Sequence, residues 1–227
     1  MENRDATVAV IGAGDFIGAA IAKKFAFEGF TVFAGRRKGE KLAPLVAEIE
    51  AGGGQVVGRS LDARKEEEIA AFLRDADAAA PLEVCIFNIG ANVNFPLLET
   101  TERVFRKVWE MACYAGFLTG REAARLMLPR GRGNIFFTGA TAGMRGGIGY
   151  TAFASAKFGL RAVAQSAARA RPKGHPRRPS GHRCRRRHRV GARADQGAGR
   201  GNGPRQSRSG EADAAGLCRR GVLADLP

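Results

Sequence analysis

Three glycines near the start of the chain have the spacing of an anion-binding turn. Gly12, Gly14 and Gly18 follow the apolar run Thr7–Ile11 and open a segment of helical periodicity. Glycines at this place let the chain turn tightly and let backbone N–H groups approach a pyrophosphate at the helix N-terminus. The alternative is a glycine turn without a ligand, but the position between a first strand and a first helix favours dinucleotide binding. The residues between the glycines complete the predicted cofactor contact: Asp15, Phe16 and Ile17.

A pair of positive charges follows the second apolar run of the sequence, residues 30–34. Arg36 and Arg37 stand where an acidic side chain would accept hydrogen bonds from the adenosine ribose of NAD. Arginine instead suits the additional 2′-phosphate of NADP. The alternative is a solvated basic pair at the end of a strand. The sequence therefore predicts NADP as the cofactor, with NAD as the second choice.

The elements that must position these residues alternate along the first part of the chain. The runs that predict strands are residues 7–11, 30–34, 55–58, 82–88 and 134–138. The segments with helical periodicity are residues 16–27, 41–50, 66–78, 102–128 and 151–170. Strands that alternate with helices are typical of βαβ units and a parallel sheet. We therefore expect an α/β fold of three layers with a parallel sheet. The glycine turn after the first strand makes a Rossmann-type sheet the expected form, which implies the strand order 3-2-1-4-5.

Taken together, these residues resemble the short-chain dehydrogenase/reductase family. The glycine turn corresponds to the TGxxxGxG motif of that family, with Ile11 in place of the threonine and Phe16 in place of the middle glycine. Asp62 matches the family's adenine-contacting aspartate. Asn88 and Gly90 match the second asparagine and the glycine of its NNAG strand end. The resemblance implies hydride transfer between an alcohol and a carbonyl compound, with NADP(H) or NAD(H) as the cofactor.

The catalytic set of the family, an asparagine, a serine, a tyrosine and a lysine, is mostly replaced. The resemblance, which covers residues 6–170, places Phe153 at the tyrosine and Lys157 at the lysine of the YxxxK motif. Ala140 stands at the serine position and Cys113 at the asparagine position. Because a phenyl ring has no proton to donate, the usual general acid is missing. Lys157, which in the family lowers the pKa of the tyrosine and holds the nicotinamide ribose, is retained; a solvent-facing helix lysine is the alternative.

Other side chains near these positions could supply a proton or a nucleophile. Tyr150 lies three residues before Phe153 and would share its helix face one turn away. That displacement, about 4.5 Å along the helix axis, would defeat the geometry of hydride transfer for an ordinary substrate position. Cys113 could act as a thiol nucleophile, but the first histidine of the chain is His175. A buried core cysteine is therefore the better interpretation.

Residues 171–227 differ sharply in composition from the rest of the chain. They hold 15 Lys and Arg against 4 Asp and Glu, all three histidines and no aromatic residue. Such a segment cannot bury enough apolar surface to offset its chain entropy, so we predict a disordered tail. If the coding text is read one base downstream from His175, permitted codons yield a strand and a segment that resembles the family's PGxVxT. We therefore interpret the tail as out of frame; a basic arm that binds nucleic acid non-specifically is the alternative.

The chain as a whole has 227 residues and a net charge of +15. No apolar run approaches the ~20 residues of a membrane span, and no secretory signal is readable. Its four cysteines show neither metal-ligand nor disulfide spacing. We expect a cytoplasmic protein without a metal or a membrane partner, which takes an unidentified small-molecule substrate and forms a homo-oligomer through its long helices. The functional alternatives are a nucleotide-binding pseudoenzyme and a nucleic-acid-binding protein that uses the tail.

Overall fold

A computed structural model of the protein describes residues 3–169. Its strands are β1 (Thr7–Ile11), β2 (Thr31–Arg36), β3 (Gln55–Ser60), β4 (Leu82–Phe87) and β5 (Asn134–Phe137). Its α-helices are α1 (Ile17–Phe27), α2 (Ala43–Ala51), α3 (Glu66–Ala79), α4 (Glu102–Trp109), α5 (Ala115–Met127) and α6 (Thr151–Ala167). The predicted disorder, the out-of-frame interpretation and the nucleic-acid arm all concern residues 171–227, which lie outside the described residues.

The five strands form one parallel sheet in the order β3-β2-β1-β4-β5, which confirms the predicted α/β fold and its strand order. The chain runs outward from β1 to β3, then returns to the centre of the sheet and continues with β4 and β5. In sheets of this kind the direction of winding reverses beside the first strand, and a crevice opens there at the carboxyl ends of the strands. The glycine turn directly follows β1, so the topology places it at this crevice.

Burial of the central strand on both faces explains its uninterrupted apolar sequence. Val8 and Val10 pack toward α1 and α2, whereas Ala9 and Ile11 pack toward α3, α5 and α6. All four side chains are fully buried. Neighbouring side chains of a strand point to opposite faces of the sheet, so each face receives half of the strand. The two core clusters on either side of the sheet produce the three predicted layers.

Several element boundaries differ from the sequence predictions. Residues 102–128, predicted as one helix, form α4 and α5, which are joined by a π-helical turn at Glu110–Tyr114. The segment before α2 begins with the 3₁₀ turn Gly39–Leu42, and Pro44 occupies the first turn of α2, where its fixed φ angle is tolerated. The outer edge of β5 has no strand neighbour within residues 3–169. Each of these boundaries depends on packing or on a special turn, which periodicity does not report.

Two classes of feature are absent from the part of the chain that the structure describes. None of the helices within residues 3–169 is both long and apolar enough to pass through a bilayer. The same residues contain no group of three histidine, cysteine, aspartate or glutamate side chains that could hold a metal ion.

Candidate functional site

The turn between β1 and α1 depends on two glycines for its conformation. Gly12 has a φ angle of +92°, and a Cβ atom there would lie 2.9 Å from the backbone carbonyl of Asn88. A Cβ atom at Gly18 would lie 2.4 Å from the carbonyl oxygen of Gly12. The Gly12 amide also donates to the carbonyl oxygen of Gly35 at 2.9 Å, which ties the turn to β2. Gly12 and Gly18 therefore let the turn, α1 and β4 approach one another closely.

Two other glycines are not required by the packing of the chain. A Cβ atom at Gly14 or at Gly90 would meet no atom within 4 Å among the described residues. Both glycines line a cleft at the carboxyl ends of the strands. Their missing side chains leave backbone exposed in the cleft, which is the condition that a closely approaching ligand requires. The free space shows that packing among the described residues does not require glycine at either position.

The N-terminus of α1 is open toward an anion. Within residues 3–169 no side chain caps this helix, and its first turn carries no acidic residue. The first N–H groups of an α-helix have no acceptor inside the helix, and they bear a partial positive charge. Phe16 and Ile17 lie at this end and are exposed, Phe16 to 86%. Neither Phe16 nor Ile17 is part of the cleft lining.

The cleft has a volume of about 500 Å³, within the roughly 300–1,000 Å³ of small-molecule sites. Seven of the predicted cofactor-binding residues line it: Gly12, Gly14, Arg36, Arg37, Asp62, Asn88 and Gly90. The other five predicted residues do not line it: Asp15, Phe16, Ile17, Gly18 and Lys157. The structure therefore brings residues from the ends of four strands together around one cleft, and these include the majority of the residues predicted to bind the cofactor.

The cleft is strongly positive, and sequence reasoning found only part of the charge. Besides the two predicted arginines, its lining includes Lys38, Lys41 and Arg64. Lys38 and Lys41 follow Arg37 closely in the sequence, so the run of basic residues was a usable signal. Arg64 comes from the loop after β3, and only the folded sheet brings it to the cleft. Together these side chains provide several cations for an acidic ligand.

Asp62 is held in place by its neighbours. The Arg64 guanidinium donates two hydrogen bonds to the Asp62 carboxylate, at 2.9 and 2.6 Å, and the Asp62 amide donates to Glu68 at 2.7 Å. The hydrogen bonds from Arg64 hold the pKa of Asp62 below its usual range. Asp62 is therefore an ionised acceptor in a fixed position, which suits the predicted contact with an adenine amino group.

Arg36 already has a carboxylate partner. Its Nη1 donates to Oδ1 of Asp15 at 2.6 Å, across from the end of β2 to the glycine turn. The Arg36 side chain is 19% exposed, whereas that of Asp15 is 69% exposed. Sequence reasoning assigned both residues to the cofactor site but did not predict that they form an ion pair.

A chain of hydrogen bonds connects the glycine turn to α6. Asn88 donates from Nδ2 to the carbonyl oxygen of Gly12 at 3.1 Å and accepts from the Thr138 hydroxyl at 2.9 Å. Lys157 donates from Nζ to the carbonyl oxygens of Thr138, at 2.8 Å, and of Ile89, at 3.3 Å. Asn88 therefore positions the turn at the end of β1, while Lys157 joins the ends of β4 and β5.

Lys157 is buried, so its alternative interpretation as a solvent-facing lysine is wrong. Its residue is only 4% exposed, and burial lowers the pKa of its ammonium group to about 8. The Nζ atom lies 6.0 Å from the centre of the Phe153 ring. Lysine shifts its pKa readily when buried, because desolvation disfavours the charged form.

The three substituted catalytic positions lie together in one apolar cluster. Cys113 in the π-helical turn and Phe153 on α6 are buried members of this cluster, and Ala140, after β5, packs against it. Burial raises the pKa of the Cys113 thiol, so it is protonated and a poor nucleophile. The structure thus places these positions side by side, and none of the three side chains has a hydroxyl group. π-helical turns are frequent at functional sites, and this one carries Cys113.

Tyr150 also packs against this apolar cluster, but it does not lie on the helix as predicted. The helix α6 begins at Thr151, and Tyr150 has φ −113° and ψ 23°, outside the helical range. Its backbone forms an isolated bridge with Phe95, and its carbonyl oxygen accepts from the Ala154 amide at 2.7 Å. Tyr150 is thus the N-cap residue of α6, at the junction of the preceding loop and the helix, and its own backbone is not helical.

The fold and the glycine turn define an α/β protein of Rossmann type. Residues 6–173 match the short chain dehydrogenase family, and the chain therefore belongs to this family. A short-chain dehydrogenase from Rhodopseudomonas palustris, solved as a crystal structure, is 80% identical in sequence to this chain. The two structures have a TM-score of 0.72 over 73% of this chain and 78% of that one.

More distant relatives extend the comparison. A metagenomic short-chain oxidoreductase, solved in complex with NADP, is 30% identical, with a TM-score of 0.70 over 74% of this chain and 76% of that one. The 2-dehydro-3-deoxy-D-gluconate 5-dehydrogenase of Formosa agariphila is 27% identical over 161 residues, which are 70% of this chain and 61% of that protein. The chain spans about three fifths of the length of such curated relatives.

Proposed function

We propose that the protein binds NADP(H), with NAD(H) as the second choice, in the cleft at the ends of the strands. The observation that carries this proposal is the free space at Gly14 and Gly90 beside the uncapped N-terminus of α1. The similarity to a family member that was solved with NADP supports it. The corresponding reaction is hydride transfer between an alcohol and a carbonyl compound, and the substrate is an unidentified small molecule.

We assign the parts of a dinucleotide to residues along the cleft and, by the family resemblance, to Lys157, which does not itself line the cleft. The backbone around Gly14 would hold the pyrophosphate, because the helix N-terminus favours negative charge there. Asp62 would accept a hydrogen bond from the adenine, and the basic loop of Arg37, Lys38 and Lys41 would receive a 2′-phosphate. Lys157 would hold the nicotinamide ribose. When bound, the cofactor supplies the hydride, which no protein side chain can provide.

The chain's own residues offer little help for the proton transfer that accompanies this reaction. A carbonyl oxygen that receives a hydride on its carbon must also gain a proton, and Phe153 cannot donate one. Lys157 has a pKa of about 8, but its Nζ is engaged by two backbone carbonyls. Burial in the apolar cluster also limits the access of water to Cys113 and Phe153. We therefore propose that hydride transfer is slow.

A nucleotide-binding pseudoenzyme is the second candidate function. The observation that favours it is the loss of all three polar side chains from one buried cluster, at Cys113, Ala140 and Phe153. Such a protein would act through binding or assembly while keeping the cofactor cleft. The two candidates share the cleft and differ in turnover. A measurable rate of hydride transfer favours the oxidoreductase, and cofactor binding without turnover favours the pseudoenzyme.

We also propose a homo-oligomer that forms through the long helices. An aromatic strip of Trp109, Tyr114 and Phe117 runs along α4 and α5, with ring centres 6.1 and 6.3 Å apart. Trp109 and Phe117 are partly exposed, as is Phe158 on the neighbouring α6. Contiguous exposed aromatic surface is typical of contacts between subunits. A cytoplasmic location is proposed as well, since both cysteines of the described part, Cys85 and Cys113, are free and buried.

The experiment that tests the cofactor site uses the empty space at Gly14. In a Gly14→Val variant the new Cβ atom meets none of the described atoms within 4 Å, so the fold should be retained while the branched side chain fills the proposed pyrophosphate position. We expect calorimetric titration to show a loss of NADPH and NADH affinity of about 100-fold, equal to roughly 2.7 kcal/mol.

Gly146→Val is the matched control, because Gly146 also has free space around it but does not line the cleft. Thermal melting of both variants checks the fold. Unchanged dinucleotide affinity in Gly14→Val, or no binding by the unmodified protein, would contradict the proposed site.

A further inference from the structure

The ion pair between Asp15 and Arg36 connects two segments of the proposed cofactor site, which would bind different parts of the dinucleotide. Asp15 lies in the glycine turn that would hold the pyrophosphate, and Arg36 lies at the end of β2, where the adenosine ribose would be held. The Asp15 carboxylate accepts from Nη1 of Arg36 at 2.6 Å. The same nitrogen lies 3.4 Å from the carbonyl oxygen of Lys41. One of the two terminal nitrogens of the Arg36 guanidinium is therefore already engaged by acceptors of the protein.

The effect of this pair on a phosphate group follows from its charge and geometry. An arginine binds a phosphate best when two parallel N–H groups are free to donate, and both the charge and the fork geometry contribute. Asp15 takes one of the donors and neutralises the cation. Its negative charge would also repel a second anion that binds to the same guanidinium. A 2′-phosphate would therefore bind Arg36 more weakly than Arg37, which has no carboxylate partner within residues 3–169.

We infer that Asp15 is a specificity-determining residue that lowers the preference of the cleft for NADP(H) over NAD(H). This inference rests on the proposed function, because it concerns which dinucleotide the cleft selects. The carboxylate pairs with Arg36 and opposes a 2′-phosphate, whereas a cofactor with a free 2′-hydroxyl meets no such repulsion. The remaining preference for NADP(H) then comes from Arg37, Lys38 and Lys41, which are exposed around the same loop.

The direct test compares NADPH and NADH binding to the full 227-residue chain and to Asp15→Asn, by calorimetry at low and fixed salt. The amide keeps the size of the side chain but removes the negative charge that neutralises the Arg36 guanidinium and opposes a second anion. NADPH affinity should rise by about five- to tenfold, which equals roughly 1–1.4 kcal/mol, while NADH affinity changes by less than about twofold. Glu28→Gln is the matched control, since it removes a carboxylate that pairs with Lys24 at the opposite end of α1.

A double-variant cycle assigns the effect to the pair. In an Arg36→Ala background, Asp15→Asn should lose most of its gain in NADPH affinity, because the cation that it frees is absent. An equal gain with and without Arg36 would overturn the inference. So would a loss of NADH affinity in Asp15→Asn, since that result would make Asp15 an acceptor for the ribose hydroxyls.

The failure of the inference and that of the proposed function give different results. If both proteins bind NADPH and NADH with unchanged selectivity, Asp15 has no role in specificity although the cleft binds dinucleotides. If neither protein binds either dinucleotide in the titration, the proposed function is wrong, and the role of Asp15 is wrong with it.

Discussion

The proposed dinucleotide cleft and the apolar cluster at the catalytic positions differ in side-chain chemistry. The cleft combines exposed backbone, an uncapped helix N-terminus and five basic side chains. The buried members of the cluster are alanine, valine, cysteine and phenylalanine side chains, and Tyr150 packs against them. The first region has what is needed to hold an acidic ligand. The second lacks a proton donor at each position where the family places one.

The difference shows that binding and chemistry depend on different parts of the chain. The cleft depends on backbone geometry, which the strand order and the glycines at positions 12 and 18 produce, so it is retained as long as the sheet folds. Proton transfer depends on single hydroxyl groups, which apolar residues of similar shape can replace without loss of packing. Phe153 differs from tyrosine by one oxygen atom. A family member can therefore keep its cofactor site and lose its catalytic acid.

The largest expected effect comes from restoring the missing hydroxyl groups. In a Phe153→Tyr, Ala140→Ser double variant, single-turnover hydride transfer from NADPH to carbonyl compounds should rise by about 10²–10⁴-fold, the usual contribution of a general acid. Phe158→Tyr is the control, because it makes the same chemical change at an exposed position of α6. If the double variant is no faster than this control, the substituted positions do not limit the reaction.

The buried ammonium group of Lys157 predicts a pH-dependent stability. Its folded pKa of about 8 lies below the value of about 10.4 for an unfolded lysine, so the unfolded chain binds more protons between these pH values. This group should therefore raise the free energy of unfolding as the pH rises from 8 toward 10.4, by at most about 3 kcal/mol. Below pH 8 both states are protonated and the burial penalty is fully present.

The measurement is urea unfolding at several pH values between 7 and 10, for the protein and for Lys157→Met. The difference in the free energy of unfolding between the two should grow with pH in favour of the lysine, because other titrating groups cancel. A constant difference across this range would mean that the pKa of Lys157 is not lowered.

A smaller effect is expected at the basic loop. Arg37→Ala should weaken NADPH binding by about fivefold, because one charge-assisted hydrogen bond to the 2′-phosphate is lost. NADH affinity should change by less than about twofold, because NADH has no 2′-phosphate. Arg132→Ala removes the same charge next to the N-terminal end of β5, where Arg132 pairs with Glu83, and serves as the control in the same titrations. Equal losses for both dinucleotides would show that Arg37 senses total charge and not the 2′-phosphate.

The smallest effect is expected for Tyr150. Because it precedes α6 and is held by its bridge to Phe95, Tyr150→Phe should change the residual rate of hydride transfer by less than about twofold. Single-turnover kinetics of the unmodified protein and the variant provide the comparison. A tenfold loss would instead identify Tyr150 as the proton donor, and the apolar cluster would not then explain slow turnover.

The fold was largely predictable from local patterns in the sequence. The five strands follow from short β-branched runs that alternate with helical periodicity, whereas their order follows from the Rossmann-type fold that the glycine turn after β1 indicates. The π-helical turn Glu110–Tyr114 was not predictable, since its residues continue the helical pattern on both sides. Helix periodicity reports which face is apolar, not a local change in hydrogen bonding.

Most residues of the candidate site were predictable from the sequence, but the contacts between them were not. Motif spacing identified Arg36 and Asp15, yet their ion pair joins two segments that only the parallel sheet brings together. The burial of Lys157 likewise depends on the loops after β4 and β5, whose carbonyl groups it contacts. Contacts between residues that are distant in sequence are properties of the packed structure, and composition or periodicity does not contain them.

The most direct test of the account is to follow NADPH in the unmodified protein before and after a panel of carbonyl compounds is added. Calorimetry should first show that NADPH binds to the chain. After stopped-flow mixing, the absorbance of the bound NADPH should then stay nearly unchanged. The rate of NADPH oxidation should be at least about 100-fold below that of the Phe153→Tyr, Ala140→Ser variant. Rapid oxidation of NADPH by the unmodified protein, at the rate of that variant, would contradict the claim that the cofactor cleft is intact while the catalytic cluster is not.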